Sequence, residues 1–228
     1  MNENFTNIKA CVFDAYGTLL DLNSATSCCD EELGDKANAL GELWRAKQLQ
    51  YTWLRSLMGK HKDFRVVTEN ALDYAMDALD VSGNELRQKL LSSFEVLAPY
   101  EDASALLSQL RSSGIKTAIL SNGSPDMLKN ATENAGIKNL LDMVLSVEEV
   151  GIFKPDPRVY QLAVDRLETP TENICFVSAN GWDVAGGAAF GFQVAWINRT
   201  DAPNERLGFK PKAEIKNLGT LAQIVLPV

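Results

Sequence analysis

The chain has 228 residues, enough to bury a core that needs no disulfide or structural metal for stability. Of these residues, 46% are hydrophobic and 23% are charged, an ordinary balance for a folded protein. Its formal net charge is −8 and its pI is about 4.8. Nucleic acids and anionic membranes favour basic surfaces, so we expect neither as a partner. An anionic substrate would have to be captured by a few local cations.

Five short apolar runs predict strands of a parallel sheet that is buried on both faces. They alternate with amphipathic segments, the order typical of an α/β fold. The predicted strands are Lys9–Phe13, Lys116–Leu120, Met143–Ser146, Asn173–Val177 and Gln193–Ile197. The predicted helices between and after them are Ala103–Ser112, Pro125–Ala135, Pro157–Leu167 and Trp182–Phe190. Between the first two strands, residues 20–100 have a helical pattern almost throughout, which predicts an all-helical insertion.

The start of the chain, MNENFTNIK, lacks the basic and apolar regions of a signal peptide. No apolar run reaches the roughly 18 residues of a membrane span. The cysteines Cys11, Cys28, Cys29 and Cys175 show no metal-ligand spacing. We therefore expect reduced thiols in a cytoplasmic protein, with no cofactor and no metal.

Polar residues follow each of the first four predicted strands. An Asp or Ser in such a place is, taken alone, usually a turn or helix cap. Ligands of open parallel sheets, however, bind beyond the carboxyl ends of the strands, where these side chains would meet. Four such ends at one edge therefore indicate a site, and they carry Asp14, Ser121 with Asn122, Lys154, and the cluster Ser178, Asn180 and Asp183.

Four segments resemble the ordered motifs of the haloacid dehalogenase-like superfamily, and together they cover nearly the whole chain. They are FDAYGTL at 13–19, SNG at 121–123, FKP at 153–155 and SANGWD at 178–183. The resemblance implies a Rossmann-like catalytic core, formed by residues 1–19 and 101–228. It also implies a helical cap subdomain, formed by residues 20–100, and a nucleophilic Asp14 at the end of the first strand.

Most members of that superfamily transfer phosphoryl groups, so a phosphatase is the first alternative. Such enzymes have a second Asp where this chain has Tyr16, and a phenol with a pKa near 10 is a poor acid at neutral pH. The last motif offers Ser178 and Asn180, leaving Asp183 as its only carboxylate for Mg²⁺. Halide needs neither a proton nor a metal to leave, which favours a dehalogenase. A catalytically silent binding protein on the same fold is the remaining alternative.

The segment Leu43–Gly59 resembles the cap helix of the L-2-haloacid dehalogenases. Its resemblance includes Arg45, which on the residues alone would be a solvated side chain packed on Trp53. The next position, often polar in that family, is Ala46. The apolar positions cover more than half of the circumference and predict a helix buried on most sides: Leu40, Leu43, Ala46, Leu49, Trp53, Leu54 and Leu57.

The resemblance implies hydrolysis of short (S)-2-haloacids to (R)-2-hydroxyacids. Asp14 would attack the α-carbon and invert it, and Lys154 would keep Asp14 ionised and stabilise an oxyanion. Ser121 would hold the substrate carboxylate, while Asn122 and Arg45 would receive the halide. Ser178, Asn180 and Asp183 would position the hydrolytic water, with Asp183 as the base or the partner of Lys154. Thr18 would fix the rotamer of Asp14, and Tyr160 would be a further polar residue of the site. The residues implied for substrate contact and the apolar wall are Ala15, Tyr16, Leu49, Phe64 and Trp182.

Two further expectations concern residues outside these motifs. His61, the only histidine, stands in the polar stretch GKHKD, which predicts a surface loop and argues against a His-based site. The apolar cap helix, with Trp44, Trp53, Leu57 and Met58, offers a subunit interface, and family members of this type are commonly homodimers. We therefore expect a homodimer.

Overall fold

A six-stranded parallel sheet forms the centre of the protein in the computed structural model, which describes residues 5–22 and 29–226. The strands lie in the order β3-β2-β1-β4-β5-β6, so the first strand lies inside the sheet. Their bounds are β1 Ala10–Phe13, β2 Lys116–Ser121, β3 Met143–Ser146, β4 Ile174–Ser178, β5 Gln193–Ile197 and β6 Ala213–Ile215.

The strands of the sheet centre are buried on both faces, as their uniformly apolar sequences predict. Every residue of β1, β4 and β5 is buried. The parallel register pairs Phe13 with Ile119 of β2 and with Val177 of β4, so these three strands end at the same edge. The backbone N–H of Asp14 continues the ladder by donating to the carbonyl of Val177 at 2.9 Å. The residues that follow the strands are therefore brought to one edge.

The helices that follow β1 and the later strands confirm most of the predicted helical segments. Those of the insertion are α1 Asp30–Leu33, α2 Ala37–Leu57, α3 Phe64–Ala78 and α4 Asn84–Ser93. Those of the sheet layers are α5 Ala103–Ser112, α6 Pro125–Asn134, α7 Pro157–Leu167, α8 Gly181–Phe190 and α9 Gly219–Val225. None of the described helices is long and apolar enough to cross a membrane.

The insertion between β1 and β2 is helical, as predicted, and its two ends lie side by side. Leu20 forms an isolated antiparallel bridge with Pro99, and the N–H of Tyr100 donates to the carbonyl of Leu19 at 2.9 Å. The chain thus leaves and re-enters the sheet layers at one place. The division of the chain at residues 19/20 and 100/101 stays a prediction, and Cys28 lies outside the described residues.

The cap helix α2 is oriented differently from the prediction. Its buried residues are Leu40, Trp44, Gln48 and Thr52, a stripe of one residue per turn. Ala46 is exposed, and the side chains of Leu54 and Leu57 are 44% and 84% exposed. The prediction of a helix buried on most sides is therefore wrong for the single chain. It counted apolar residues, whereas two polar side chains, satisfied by hydrogen bonds, occupy half of the buried stripe.

The C-terminal part of the described chain adds two elements that the sequence did not predict. Strand β6 has only three residues, with buried Ala213 and Ile215 on either side of an exposed Glu214, and it forms one edge of the sheet. Helix α9 packs against α5 and buries Leu221, Ala222 and Val225. Three alternating residues are too few to distinguish a strand from a loop by pattern alone.

Candidate active site

Asp14, at the carboxyl end of β1, is the centre of the polar cluster. Its carboxylate is nearly buried, and each of its two oxygens has its own partners. Lys154 Nζ lies 3.2 Å from Oδ1. Asn180 Nδ2 donates to Oδ2 at 2.9 Å, and the hydroxyl of Thr18 lies 3.4 Å from the same oxygen. The carboxylate is therefore fixed by a cation on one side and by uncharged donors on the other.

Lys154 joins the two carboxylates of the site. Its side chain is 1% exposed, and its Nζ lies 3.2 Å from Asp14 and 2.8 Å from Asp183. Burial alone would lower the pKa of Lys154, but the charges of Asp14 and Asp183 outweigh burial and raise it. These distances place Lys154 beside Asp14, with Asp183 as its second partner. The protonated amine therefore offsets one of the two negative charges at this edge of the sheet.

Asp183, at the start of α8, is fully buried and held from two sides. Tyr160 donates its hydroxyl to Oδ1 at 2.7 Å, while Lys154 occupies Oδ2. Burial raises the pKa of Asp183, and the charge of Lys154 opposes that rise. Burial, followed by the charge of Asp183, also raises the pKa of Tyr160, so its phenol stays protonated as a donor. A carboxylate with a raised pKa is a better general base than an exposed one.

Arg45 reaches this edge from the cap helix α2. Its Nη2 donates to Asn180 Oδ1 at 3.2 Å, and its Nη1 donates to Gln48 Oε1 at 2.7 Å. Burial lowers the pKa of Arg45, against the charge of Asp14, but a guanidinium remains protonated at any ordinary pH. The structure therefore places the cap's cation next to the residue that contacts Asp14. The solvated alternative for Arg45 does not apply.

Three short polar side chains hold the loops that carry these groups. Ser121 Oγ accepts from the N–H of Gly123 at 3.2 Å, and Ser178 Oγ accepts from the N–H of Asn180 at 3.1 Å. Asn122 Oδ1 accepts from the backbone N–H of Lys154 at 3.0 Å. In each case the oxygen has a structural partner, while the hydroxyl protons and the Asn122 amide protons can still be donated to a ligand.

The predicted apolar wall lies between the cap and the sheet edge. Ala15, Tyr16 and Phe64 are buried, and the rings of Tyr16 and Phe64 stack with centroids 5.9 Å apart. Leu49 is half-buried on α2, one turn after Arg45. Trp182 meets Trp53 of the cap edge-on at 5.6 Å. Tyr16 has a buried hydroxyl without a hydrogen-bond partner among the described residues, and burial raises its pKa, so it remains a neutral phenol.

His61 is not the surface residue that the sequence predicted. It does lie between α2 and α3, but its side chain is 21% exposed and its Nε2 lies 2.9 Å from Glu148 Oε2. Its ring lies 4.5 Å from that of Phe153, centroid to centroid. The polar neighbours in GKHKD suggested exposure, yet the loop folds onto the segment that carries Lys154. His61 therefore belongs to the contact between the cap and the sheet layers.

Sequence reasoning missed Gln48 and Thr68, which support this site, and did not assign Trp53 to its apolar wall. Gln48 and Thr68 hold Arg45 from behind, and Trp53 closes the wall against Trp182. The available signal for Gln48 was its position three residues after Arg45 and four after Trp44, on the helix face that proves to be buried. Within the described residues, no group of three or more His, Cys, Asp and Glu side chains is arranged to hold a metal ion.

Comparisons with known proteins define the class of this chain. Residues 8–191 match the family model described as haloacid dehalogenase-like hydrolase. The chain belongs to the haloacid dehalogenase-like hydrolase family, as predicted. Among curated relatives, it is 43% identical over 220 residues to (S)-2-haloacid dehalogenase 1 of Pseudomonas sp. strain CBS-3, covering 96% of this chain and 97% of that protein.

Two further likenesses cover almost the whole chain. Haloacetate dehalogenase H-2 of Moraxella sp. strain B is 35% identical, with 96% of this chain and 98% of that protein covered. The solved structure of L-2-haloacid dehalogenase from Xanthobacter autotrophicus with chloropropionic acid covalently bound is similar at a TM-score of 0.88 and 36% identity. It covers 95% of this chain and 97% of that chain.

Proposed function

We propose that this protein hydrolyses short (S)-2-haloacids to (R)-2-hydroxyacids through an ester of Asp14. The observation that carries the proposal is the placement of Asp14 against Lys154, with uncharged donors on its other oxygen and no second carboxylic acid at the leaving-group position, where Tyr16 stands. This arrangement suits an ionised nucleophile whose leaving group needs no proton. The dehalogenase names of the relatives support the substrate class.

The first step displaces halide from the α-carbon. An oxygen of Asp14 attacks the face opposite the halogen, a carbon–oxygen bond forms, and the halide departs with the bonding electron pair. Arg45 and the amide protons of Asn122 receive the anion. Ser121 and nearby backbone N–H groups hold the substrate carboxylate, helped by the N-terminus of α6. Because attack comes from the rear, the configuration at the α-carbon inverts.

The second step hydrolyses the ester and restores Asp14. Asp183 takes a proton from water, and the resulting hydroxide adds to the ester carbonyl carbon. Lys154 stabilises the oxyanion of the tetrahedral intermediate. The intermediate collapses by breaking the bond to the substrate oxygen, which takes up the proton and leaves as the hydroxyacid. Thr18 and Asn180 keep Asp14 in place, Ser178 shapes the loop that holds Asn180, and Tyr160 orients Asp183.

The test measures chloride release from each enantiomer of 2-chloropropionate in EDTA. We expect chloride from the (S) enantiomer alone, with (R)-lactate as the product and none from the Asp14→Asn variant. A parallel reaction holds p-nitrophenyl phosphate and Mg²⁺. Phosphate release without chloride release would show that the protein is a phosphatase and that the proposal is wrong.

We further propose that two copies of the chain form a dimer through the exposed face of α2. Leu54, Leu57 and Met58 have side chains that are 44%, 84% and 61% exposed, and all three lie within the last turn and a half of α2 and the residue after it. A second copy would bury this apolar patch. Light scattering at micromolar concentration should give twice the 25.0 kDa of one chain. A monomer of the wild-type protein would refute the dimer.

We also propose that the protein works in a reducing, cytoplasmic compartment. Cys11 and Cys175 are buried, unoxidised neighbours in register on β1 and β4. Fractionation of the producing cells tests the location: recovery of the activity outside the cytoplasmic fraction would contradict it.

A further inference from the structure

Gln48 is a buried polar side chain at the contact between the two longest cap helices. Its residue is 1% exposed, and it lies on the stripe of α2 that also contains Trp44 and Thr52. An amide in such a place needs hydrogen-bond partners for its donors and its acceptor, since an unpaired polar group is destabilising when it is buried. The hydrogen-bond partners of Gln48 therefore indicate what this side chain does.

The hydrogen bonds around Gln48 run in one direction. The hydroxyl of Thr68 donates to the carbonyl of Phe64 at 2.8 Å, so its oxygen can only accept from a further neighbour. Gln48 Nε2 fills that position at 2.8 Å. Since its amino group is committed to Thr68, its carbonyl oxygen must face Arg45, whose Nη1 donates to it at 2.7 Å. Through Thr68, helix α3 thus fixes which end of the Gln48 amide faces Arg45.

The same chain of bonds continues into the active site. The other terminal nitrogen of Arg45 donates to Asn180, which in turn donates to Asp14. Among residues 5–22 and 29–226, the hydrogen-bond partners of Arg45 are two neutral amide oxygens, and no carboxylate forms an ion pair with it. Its guanidinium is oriented from behind by a neutral acceptor, and its positive charge is not cancelled by a directly paired anion.

We propose that Gln48 is a positioning residue that aims Arg45 at the departing halide and, because it is neutral, adds no negative charge that would compete with that anion for Arg45. This inference rests on the proposed role of Arg45 in halide capture. A glutamate of the same length could make the same bond to Arg45, but it would form a buried ion pair and repel the halide. The amide at this position is therefore a determinant of halide affinity as well as of geometry.

The experiment compares the wild type with Gln48→Glu, Gln48→Met and a matched control, Gln50→Glu. Gln50 lies on the same helix, is exposed, and accepts from Lys47 at 2.9 Å, so its substitution adds the same net charge away from the site. Bromide alone is titrated into each protein and followed by tryptophan fluorescence. Chloride release from (S)-2-chloropropionate then gives kcat and KM, and thermal unfolding monitors folding.

We expect Gln48→Glu to raise the Kd for bromide about tenfold or more, because the new carboxylate opposes the anion beside Arg45. Its kcat should fall by a larger factor than its KM rises, since negative charge develops on the halogen in the transition state and is absent from the bound substrate. The Gln48→Met variant should lose kcat through misorientation of Arg45 while keeping more of its bromide affinity. The control should match the wild type in every measurement.

Wild-type bromide affinity in Gln48→Glu, or equal weakening in Gln48→Glu and Gln50→Glu, would overturn the proposal. If the Gln48 variants do not fold, Thr68→Val replaces them, because it removes the acceptor that fixes the amide; it should lower kcat, and Thr68→Ser should restore it. An unchanged kcat in Thr68→Val would then count against the proposal. A wild type that binds bromide but releases no chloride from either enantiomer would instead refute the proposed function.

Discussion

Replacing Lys154 with methionine tests the electrostatic balance of the site. The substitution keeps a long unbranched side chain but removes the cation that lies 3.2 Å from Asp14 and 2.8 Å from Asp183. At about 3 Å and an effective dielectric constant of about 20, one such pair is worth about 5.5 kcal/mol before desolvation. Much of that is offset by the burial of the charges. Breaking buried pairs while leaving the other partners in place typically costs about 3–5 kcal/mol.

We therefore expect Lys154→Met to lose about 3–5 kcal/mol in the free energy of unfolding at pH 8, measured by urea denaturation. The deficit should shrink at pH 5, because burial raises the pKa of Asp183 and the loss of Lys154 removes the charge that opposes this rise, so Asp183 takes up a proton more readily in the folded protein than in the unfolded chain. The exposed Lys210 provides the control: Lys210→Met should change stability by no more than about 0.5 kcal/mol.

A second substitution separates charge from packing. Asp183→Asn, added to Lys154→Met, removes one of the uncompensated carboxylates and should recover a large part of the lost stability. A Lys154→Met variant as stable as the wild type would refute this account of the site. A deficit that is the same at pH 5 and pH 8 would also refute it, since lost packing does not titrate.

The pKa values of Lys154 and Tyr160 are raised above their ordinary values of 10.5 and 10.0, so the folded state holds these protons more tightly than the unfolded chain. Their contribution to stability is complete below about pH 10 and is lost as the pH rises further. Circular dichroism between pH 8 and 11.5 should show it, and an alkaline limit that stays unchanged in Tyr160→Phe would contradict it. Thr18→Val should lower kcat about tenfold. It should also leave the N–H of Ala179 unpaired, at a cost of about 1–3 kcal/mol in stability. Thr18→Ser should behave as the wild type, and a fully active Thr18→Val variant would count against a role of Thr18 in holding Asp14. In Gly186→Ala, the new Cβ would lie 2.4 Å from the Tyr160 hydroxyl and 2.7 Å from Pro155. The substitution should therefore cost about 1–3 kcal/mol of stability in thermal unfolding and displace Tyr160 from Asp183. An unchanged stability would show that α8 can move away from Tyr160.

The sheet and the position of its polar edge could be predicted because the relevant forces are local or follow from topology. Continuous apolar runs such as ICFVS predict strands buried on both faces, and parallel strands end at a common edge. The pattern therefore predicts that Asp14, Lys154 and Asp183 lie at one edge, and in the structure Lys154 Nζ lies 3.2 Å from Asp14 and 2.8 Å from Asp183. The resemblance to a known family supplied their roles, which no pattern of hydrophobicity contains.

The cap could be predicted only as helical, because its packing depends on contacts far apart in the chain. The burial of Gln48 becomes favourable only when Thr68, twenty residues later, offers its oxygen. Likewise, His61 packs against Phe153 and is paired with Glu148, two residues that follow the insertion by about fifty positions in the sequence. A polar side chain that is satisfied by a distant partner has the same local sequence signature as an exposed one.

Isotopic labelling shows directly whether Asp14 forms an ester with the substrate. The protein is mixed in excess with (S)-2-chloropropionate in water enriched in ¹⁸O, so that each molecule turns over once. The masses of the lactate and of the peptide that contains Asp14 are then measured by mass spectrometry. We predict that the first lactate carries unlabelled oxygen from Asp14, and that the label enters the Asp14 carboxylate. Label in the lactate after a single turnover, with none in Asp14, would show that water attacks the α-carbon directly.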